Sequence, residues 1–494
     1  MSEYVAFDLG ASNGRCILGR YDGNRLSMDI IHRFDNAPVE LNGHLFWDIL
    51  SIYANIRNNL IRLGQGDADE IRSIGVDSWG CDFALLDAKG KLVSNPYSYR
   101  DSQTAGIIPR LFSRMSQQDI FQITGLQFIE PNTLVQLYAM QLNQDPALKY
   151  AATIQHIGDL MHFWLTGIRA CEYTNASTSQ IMDVQTHRWS PEIIASFGLN
   201  PDMFPEIIPA GTLLGKLRPS LLAETGLKGV QIIASATHDT AAAIVSTPVT
   251  QKPFGYISSG TWALLGMEVT RPVLKSQCLS LNIANEGGAF GTITLLKNIT
   301  SLWLIQECRR QWSLEGKTFT WEELSEMALD SKPFLAYLDP DDPVFSRPGN
   351  MPGRVQQYCQ QTGQLVPQAK EEILRIIFES LAFKYRLVLQ SLISLTQEQI
   401  AVLHIIGGGS RNVLLNQFTA NAIRLPVQAG PSEATALGNI LVQMVAMGEL
   451  SSLADARSLV LQSFSTTIFI PEDVDRWDEN YLRFLRVTGL DIPV

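Results

Sequence analysis

Positive charge is in short supply. Against 49 acidic residues the chain sets 38 lysines and arginines, for a net charge of −11. A surface of that sign disfavours nucleic acid and anionic membranes as partners, since both select for excess Lys and Arg. Small molecules fit better, and a local positive site for an anion remains open. Cysteine is also scarce: Cys16, Cys81, Cys171, Cys278, Cys308 and Cys359 are scattered, and no two have Cys-x-x-Cys spacing. That pattern supports neither a zinc ribbon nor a redox motif. No apolar run is long enough to span a bilayer, and no signal peptide opens the chain, so a reducing cytoplasm is expected. The P-loop is missing as well. It needs Gly-x-x-x-x-Gly-Lys and then Ser or Thr, but Gly316-Lys317-Thr318 has Gln311 in place of the first glycine. There is no protein-kinase catalytic-loop signature.

What is present is an ordinary globular composition, 46% apolar and 18% charged, on 494 residues. One core cannot serve such a length, so two large domains are expected, 1–247 and 248–494. The divide falls in a polar stretch with two prolines, Pro248 and Pro253. The two halves open alike. In the first, Tyr4-Val5-Ala6-Phe7 reads as a buried strand. Asp8-Leu9-Gly10-Ala11-Ser12-Asn13-Gly14-Arg15 is a turn, and Cys16-Ile17-Leu18 begins the return strand. Gly10 and Gly14 suit either a plain turn or a backbone cradle for phosphate, and Asp8 could hold a hydrated magnesium ion. In the second, Phe254-Gly255-Tyr256-Ile257, Ser258-Ser259-Gly260-Thr261-Trp262 and Ala263-Leu264-Leu265 repeat the pattern. Two such hairpins suggest a duplicated fold that clasps a nucleotide.

Near the midpoint, Val230-Gln231-Ile232-Ile233-Ala234 reads as a strand that delivers Ser235-Ala236-Thr237-His238-Asp239-Thr240 to the start of a tightly packed helix. Asp239 is either a helix cap or an acid placed for chemistry. A second polar insertion, Asp77-Ser78-Trp79-Gly80-Cys81-Asp82, lies between two apolar strands. Trp79 and Asp82 together suit a sugar, with core packing of Trp79 as the alternative. His156 and His162 read as packed helix residues rather than ligands. Tyr173-Thr174-Asn175-Ala176-Ser177-Thr178-Ser179-Gln180 is either a cleft-lining or a solvated loop.

Leu296-Lys297-Asn298 is expected to begin an apolar helix that carries Asn298 and Gln306 about two turns apart, in positions that could border a site. Residues 317–353 look like a long surface excursion. Residues 371–395 form a helix with apolar residues on most sides, buried between layers. Gly407-Gly408-Gly409 then separates a buried strand from a helix, leaving bare backbone against which a flat base could stack. Ser432-Glu433-Ala434-Thr435-Ala436-Leu437-Gly438 starts a helix of small residues suited to close packing.

The ordered set of residues 8–15, His238-Asp239-Thr240, Ser258-Ser259-Gly260-Thr261-Trp262 and the Gly407-Gly408-Gly409 loop resembles the FGGY carbohydrate kinases over essentially the whole chain. The resemblance implies an α/β fold of two ribonuclease H-like domains, of the actin, hexokinase and Hsp70 ATPase type, around a deep cleft. It implies transfer of the γ-phosphoryl of ATP to a sugar hydroxyl, with Mg2+, the domains closing to exclude water. Asp239 would be the proton acceptor. Ala11, Ser12, Asn13, Gly14, Arg15, Thr261, Gln306 and Gly408 would bind ATP. Gly80, His238, Thr240 and Asn298 would line the sugar, and Asp8 would hold the metal through water. Within the family, the stretches Tyr99-Arg100-Asp101-Ser102, Asn285-Glu286-Gly287-Gly288 and Leu296-Lys297-Asn298-Ile299 point to the C1 hydroxyl of L-rhamnulose. L-fuculose or another ketose or polyol is the alternative acceptor, followed by a silent sugar sensor or an actin-like ATPase module. A monomer or a homodimer would serve.

Overall fold

The computed structural model describes residues 1–66 and 70–491. The fold is mixed α/β, with two sheet-containing units. The first unit gathers Met1–Ser246, Val269–Leu295 and Ala434–Ser463; the second gathers Thr247–Glu268, Leu296–Glu433 and Phe464–Val494. Each is therefore built from separate stretches of chain.

In the first unit the strands are β1 (Ser2–Leu9), β2 (Asn13–Tyr21), β3 (Leu26–Asp35), β4 (Ile71–Ser78), β5 (Thr212–Lys216) and β6 (Gln231–Ala234). Their order in the sheet is β5-β6-β4-β1-β2-β3. β1 and β2 form the expected hairpin, antiparallel, with Asp8 opposite Arg15 and Leu9 opposite Gly14. β1, β4 and β6 run parallel. Strand β1 is apolar almost throughout because both of its faces are covered. Side chains alternate across β4. Ile74 and Val76 join a core with Val5, Phe7 and the helix Ile49–Gly64, which contributes Ile52, Ile56 and Leu60. Asp48 caps that helix by accepting from Ser51 N–H, satisfying one orphan donor of its first turn.

Gly75 points the other way, toward the helix Ala434–Ala446. A Cβ on Gly75 would stand 2.4 Å from Asn439 Oδ1, so glycine lets that helix approach. Polar bonds lock it down. Gln443 Nε2 donates to Val5 O at 3.0 Å, Ser73 Oγ donates to Gln443 Oε1 at 2.7 Å, and Asn439 Nδ2 donates to Asp77 Oδ2 at 2.6 Å.

In the second unit, β7 (Gly255–Ser259) and β8 (Trp262–Val269) form the second hairpin. β9 (Leu403–Ile406) runs parallel to β7, β10 (Val427–Ala429) parallel to β9, and β11 (Thr467–Phe469) antiparallel to β10. The long helix Lys370–Thr396 is buried over most of its circumference, with Ile373, Ile377, Leu381, Tyr385, Val388 and Leu392 all enclosed.

Three local expectations are corrected, and one alternative left open is closed. Asn298 does not start a helix: Ile293–Thr300 is a strand and the helix is Trp303–Leu314, so Asn298 and Gln306 share no helix. An apolar run suits either state, and here the sheet decides. His156 ends the strand Thr153–His156 instead of lying within a helix. Residues 317–353 are not a surface excursion. They include the helix Trp321–Asp330, opened by a Thr320/Glu323 capping box, and they bury Tyr337, Leu338 and Phe345. The polar run after Glu172 is no solvated loop, since every residue from Tyr173 to Gln180 is buried.

Candidate active site

Parallel strands in an open sheet present their carboxyl ends, and loops leaving those ends carry ligands. In the first unit Asp8 and Asp77 sit opposite each other at the ends of β1 and β4. Beyond β6 the chain continues alongside β4, with Ser78 N–H donating to Thr237 O at 2.8 Å and a bridge between Ser78 and His238. One edge thus collects Asp8, Asp77, His238 and Asp239. Asp8 is buried and ion-paired to Arg15. Burial, followed by the charge of Asp8, pushes the Asp77 carboxyl well above its ordinary value. Asp77 Oδ1 is buried with no hydrogen-bond partner.

Asp239 begins the helix Asp239–Val245, and its side chain is about a third exposed, at 35%. Surrounding protein still pushes its carboxyl up to about 6, against bonds from Thr240 N–H at 2.7 Å and Thr240 Oγ1 at 3.4 Å. His238 Nε2 lies 3.4 Å from Asp239 Oδ1, and His238 Nδ1 lies 3.6 Å from Glu286 Oε2. The imidazole is held below its ordinary pKa by burial, with Glu286 opposing. Gly80 lies against this histidine: a Cβ there would be 3.2 Å from His238 Cδ2 and 3.0 Å from Thr178 Cγ2. The structure thus brings Gly80, His238, Asp239 and Thr240 together.

Residues that the sequence left unassigned hold this group. Glu172, fully buried, accepts from Thr237 N–H and Thr237 Oγ1, both at 2.9 Å, and from Thr174 N–H at 3.0 Å. Thr174 Oγ1 in turn accepts from His238 N–H at 3.1 Å. The chain before Asp239 is therefore clamped by the run that follows Glu172. Glu286 enters on the strand Ala284–Gly287. Only its place in the quoted Asn285-Glu286-Gly287-Gly288 stretch hinted at a role.

Trp79 and Asp82 form a structural knot. Asp82 Oδ2 accepts from Trp47 Nε1 at 2.6 Å, Trp79 Nε1 at 2.9 Å and Tyr99 N–H at 3.0 Å, while Oδ1 accepts from Gln136 Nε2 at 2.8 Å. Trp79 is 5% exposed and packs on Trp47, with ring centroids 4.2 Å apart. Core packing, the alternative weighed for Trp79, is what the fold uses.

The β1–β2 turn is closed by Gly10 N–H donating to Asn13 O at 2.9 Å and by Asn36, whose Nδ2 donates to Gly10 O at 2.7 Å. Ser12 and Asn13 are exposed, and Ala11 and Arg15 are half-buried. Gly14 has a packing reason: a Cβ would fall 2.2 Å from the Phe34 ring. In the second unit, Thr261 Oγ1 and Gln306 Oε1 are 3.5 Å apart, and Trp303 N–H donates to Thr261 O at 3.0 Å. Gly409 packs on Ser259, whose Oγ would be 1.9 Å from a Cβ, whereas Gly408 faces open space. Gly407 needs glycine for its φ of +83°. Asn298 lies half-buried on its strand.

One more cluster is chemically notable. His156 Nδ1, an Asp159 carboxylate oxygen and Cys171 Sγ lie within 4.8 Å of one another, all buried. Thr133 Oγ1 donates to Cys81 O at 2.6 Å and so accepts from His156 Nε2 at 3.4 Å. That leaves the Nδ1 lone pair facing Cys171 Sγ at 3.3 Å, where the thiol can donate. A buried structural zinc takes four ligands, and this group supplies three among the described residues.

Comparison with known proteins covers nearly the whole chain. Residues 3–246 match the N-terminal domain of the FGGY family of carbohydrate kinases, and residues 255–447 match the C-terminal domain. A rhamnulokinase of Bacteroides thetaiotaomicron is 42% identical over 98% of both chains. Another, from Halalkalibacterium halodurans, is 37% identical over 96% of this chain and 100% of its own. Among solved structures, a gluconate kinase from Lactobacillus acidophilus superposes with TM-score 0.80 at 14% identity, covering 98% of this chain and 97% of its own. Plasmodium falciparum glycerol kinase, solved with ADP, gives 0.80 at 17% over 99% of both. The structural likenesses carry the fold, of the actin and hexokinase type, and the sequence matches carry the family: this chain belongs to the FGGY carbohydrate kinases.

Proposed function

We propose that this kinase transfers the γ-phosphoryl of ATP to the C1 hydroxyl of L-rhamnulose, releasing L-rhamnulose 1-phosphate and ADP. The observation that carries the substrate is the 42% identity, over 98% of both chains, with a protein named rhamnulokinase. Asp239 is the proton acceptor. As the sugar oxygen bonds to phosphorus, its proton passes to the Asp239 carboxylate, and the bond to the bridging oxygen breaks with its electron pair leaving on ADP. A carboxylate that favours its proton more than ordinary Asp does is suited to that task, and the half-open side chain leaves room for a hydroxyl.

Gly80, His238, Thr240 and Asn298 are assigned to the sugar. Ala11, Ser12, Asn13, Gly14 and Arg15 on one turn, and Thr261, Gln306 and Gly408, serve ATP. Along the chain, the half 1–247 is assigned the sugar side with the first phosphate turn and the half 248–494 the ATP side, although each folded unit draws on both halves. Asp8 fits a divalent cation, Mg2+, held through water. The buried, unpartnered Asp77 Oδ1 beside it marks a place where positive charge is favourable. Such an ion neutralises phosphate charge when bound. The setting is the cytoplasm, as a monomer or homodimer; among the described residues no helix is long and apolar enough to cross a membrane.

The test is ADP release with Mg2+ and ATP against L-rhamnulose, L-fuculose, L-ribulose, xylulose and glycerol. A kcat/KM for L-rhamnulose at least about tenfold above every other acceptor is expected, a gap of the size that hydroxyl-specific hydrogen bonds readily supply. A preference for any other acceptor overturns the substrate. Asp239→Asn should lose at least about 100-fold in turnover while keeping its affinity for ATP. Near-normal turnover would remove Asp239 from the base role.

A further inference from the structure

His238 stands between two carboxyl groups. Its Nε2 faces Asp239 Oδ1 at 3.4 Å and its Nδ1 faces Glu286 Oε2 at 3.6 Å. All three residues lie in the first unit, and both His238 Nδ1 and Glu286 Oε2 are buried without a hydrogen-bond partner. We propose that Glu286 is a positioning residue: as the neutral acid it donates to His238 Nδ1, and so fixes the Nε2–H tautomer that faces Asp239. The proposal rests on Asp239 being the proton acceptor.

Three proton arrangements can be written for the trio. An imidazolium between two carboxylates would place three charges in a largely dry site, and burial works against each of them. A neutral ring with its proton on Nδ1 would satisfy an ionised Glu286 and turn the Nε2 lone pair onto Asp239. The Asp239 carboxylate would then face a lone pair, and would be stable only with a proton of its own, which disables it as a base. The third arrangement puts the proton on Nε2 and a second on Glu286. Asp239 then keeps its charge and gains a donor.

The surroundings separate the two carboxyls in this third sense. Asp239 is 35% exposed and accepts Thr240 N–H at 2.7 Å, so its charge has solvent and a donor. Glu286 is 8% exposed at the side chain, and its Oε2 has neither. Other titratable groups bear on the trio. His156 is held neutral by burial, which with a smaller contribution from nearby His238 brings it down to about 4. Cys81, whose thiol burial pushes up, lies near both carboxyls. Neither supplies a positive charge that would hold Glu286 ionised. Separations of 3.4 and 3.6 Å are longer than finished hydrogen bonds, as catalytic contacts commonly are before the sugar arrives.

Glutamine reproduces a neutral acid, since its amide N–H can donate to Nδ1; leucine keeps the bulk and removes the donor. Glu286→Gln should retain kcat within about threefold, while Glu286→Leu should lose about 30-fold or more in kcat with KM for ATP unchanged. In the unaltered enzyme, long-range 1H–15N correlations of labelled histidines should report His238 as the Nε2–H tautomer, its signals assigned by their loss in His238→Gln. Equal kcat in the two Glu286 variants, or an Nδ1–H or imidazolium signature for His238, overturns the proposal. If Asp239→Asn is inactive while the Glu286 variants match each other, the fault lies with Glu286 alone. If Asp239→Asn turns over normally, the base reading falls and takes this proposal with it.

Discussion

At the scale of single residues, the site depends on carboxyl groups whose surroundings set them apart. Burial pushes Asp239 up to about 6, so activity that needs its carboxylate should fall as pH drops through that value. The acid limb of kcat/KM should show an apparent pKa of about 6, not the about 4 of an exposed Asp, and a limb near 4 would contradict the environment described. For stability the sign is opposite to that of a salt-bridged acid. The raised group binds its proton more tightly when folded, so its contribution to stability declines as pH rises from about 4 to about 6. Asp82 also sits at about 6 through burial, but serves as an acceptor for four donors. Asp82→Ala strands two indole N–H groups and the Tyr99 N–H in the core. At about 1 kcal/mol or more each, a loss of about 3 kcal/mol is expected, read as a lower urea midpoint by tryptophan fluorescence. An unchanged midpoint would show that those donors find other partners. Asp8, near the end of the strand Ser2–Leu9, and Asp239, in the stretch that leads from the strand Gln231–Ala234 into a helix, were legible in the sequence because an apolar run leads toward each. Glu172 and Glu286 were not: their roles come from meeting Thr237 and His238 across large sequence distances, and local pattern carries no trace of that.

At the scale of elements, the hairpins and the small-residue helix were readable, and the reason is steric. Gly438 lies in the helix Ala434–Ala446, where a Cβ would come 1.7 Å from Ala242 O in the helix that Asp239 begins. No rotamer relieves a clash with backbone, so Gly438→Ala must push the two helices apart. A destabilisation of about 1–3 kcal/mol is expected for such overpacking, together with lower kcat because Asp239 moves with its helix. Thermal unfolding and turnover measured on the same preparation check both, and wild-type values in both would mean that the contact is looser than the backbone indicates. The run around Asn298 was misread for the opposite reason. Its leucines and isoleucines satisfy helix and strand periodicities alike, and pairing with neighbouring strands decides between them. The segment after Lys317 looked irregular because its prolines and glycines dominate the local signal, while the residues that bury it, Tyr337 and Phe345, are separated by those same turns.

At the scale of the whole molecule, chain order and folded unit do not coincide. The first unit closes only when the helix Ala434–Ala446 returns to the sheet that begins at Ser2. That helix covers Gly75, donates from Gln443 to Val5 O and from Asn439 to Asp77, and packs on the helix that carries Asp239. A fragment ending at Ser246 would therefore expose one face of β1 and β4, with Ser73 and Asp77 losing the partners that make their burial tolerable. Such a fragment should lack a cooperative urea transition and show little near-ultraviolet circular dichroism. Joining residues 269–295 and 434–463 to it through flexible linkers should restore both, because every contact just named is then supplied. The comparison separates two accounts of how the sheet is held. A cooperative fragment 1–246 would mean that its own core, centred on Phe7, Ile56 and Ile74, suffices without the returning helix. Recovery only in the linked form would mean that Asp239 is positioned by a helix nearly two hundred residues downstream, and that the site cannot be assembled until most of the chain is available.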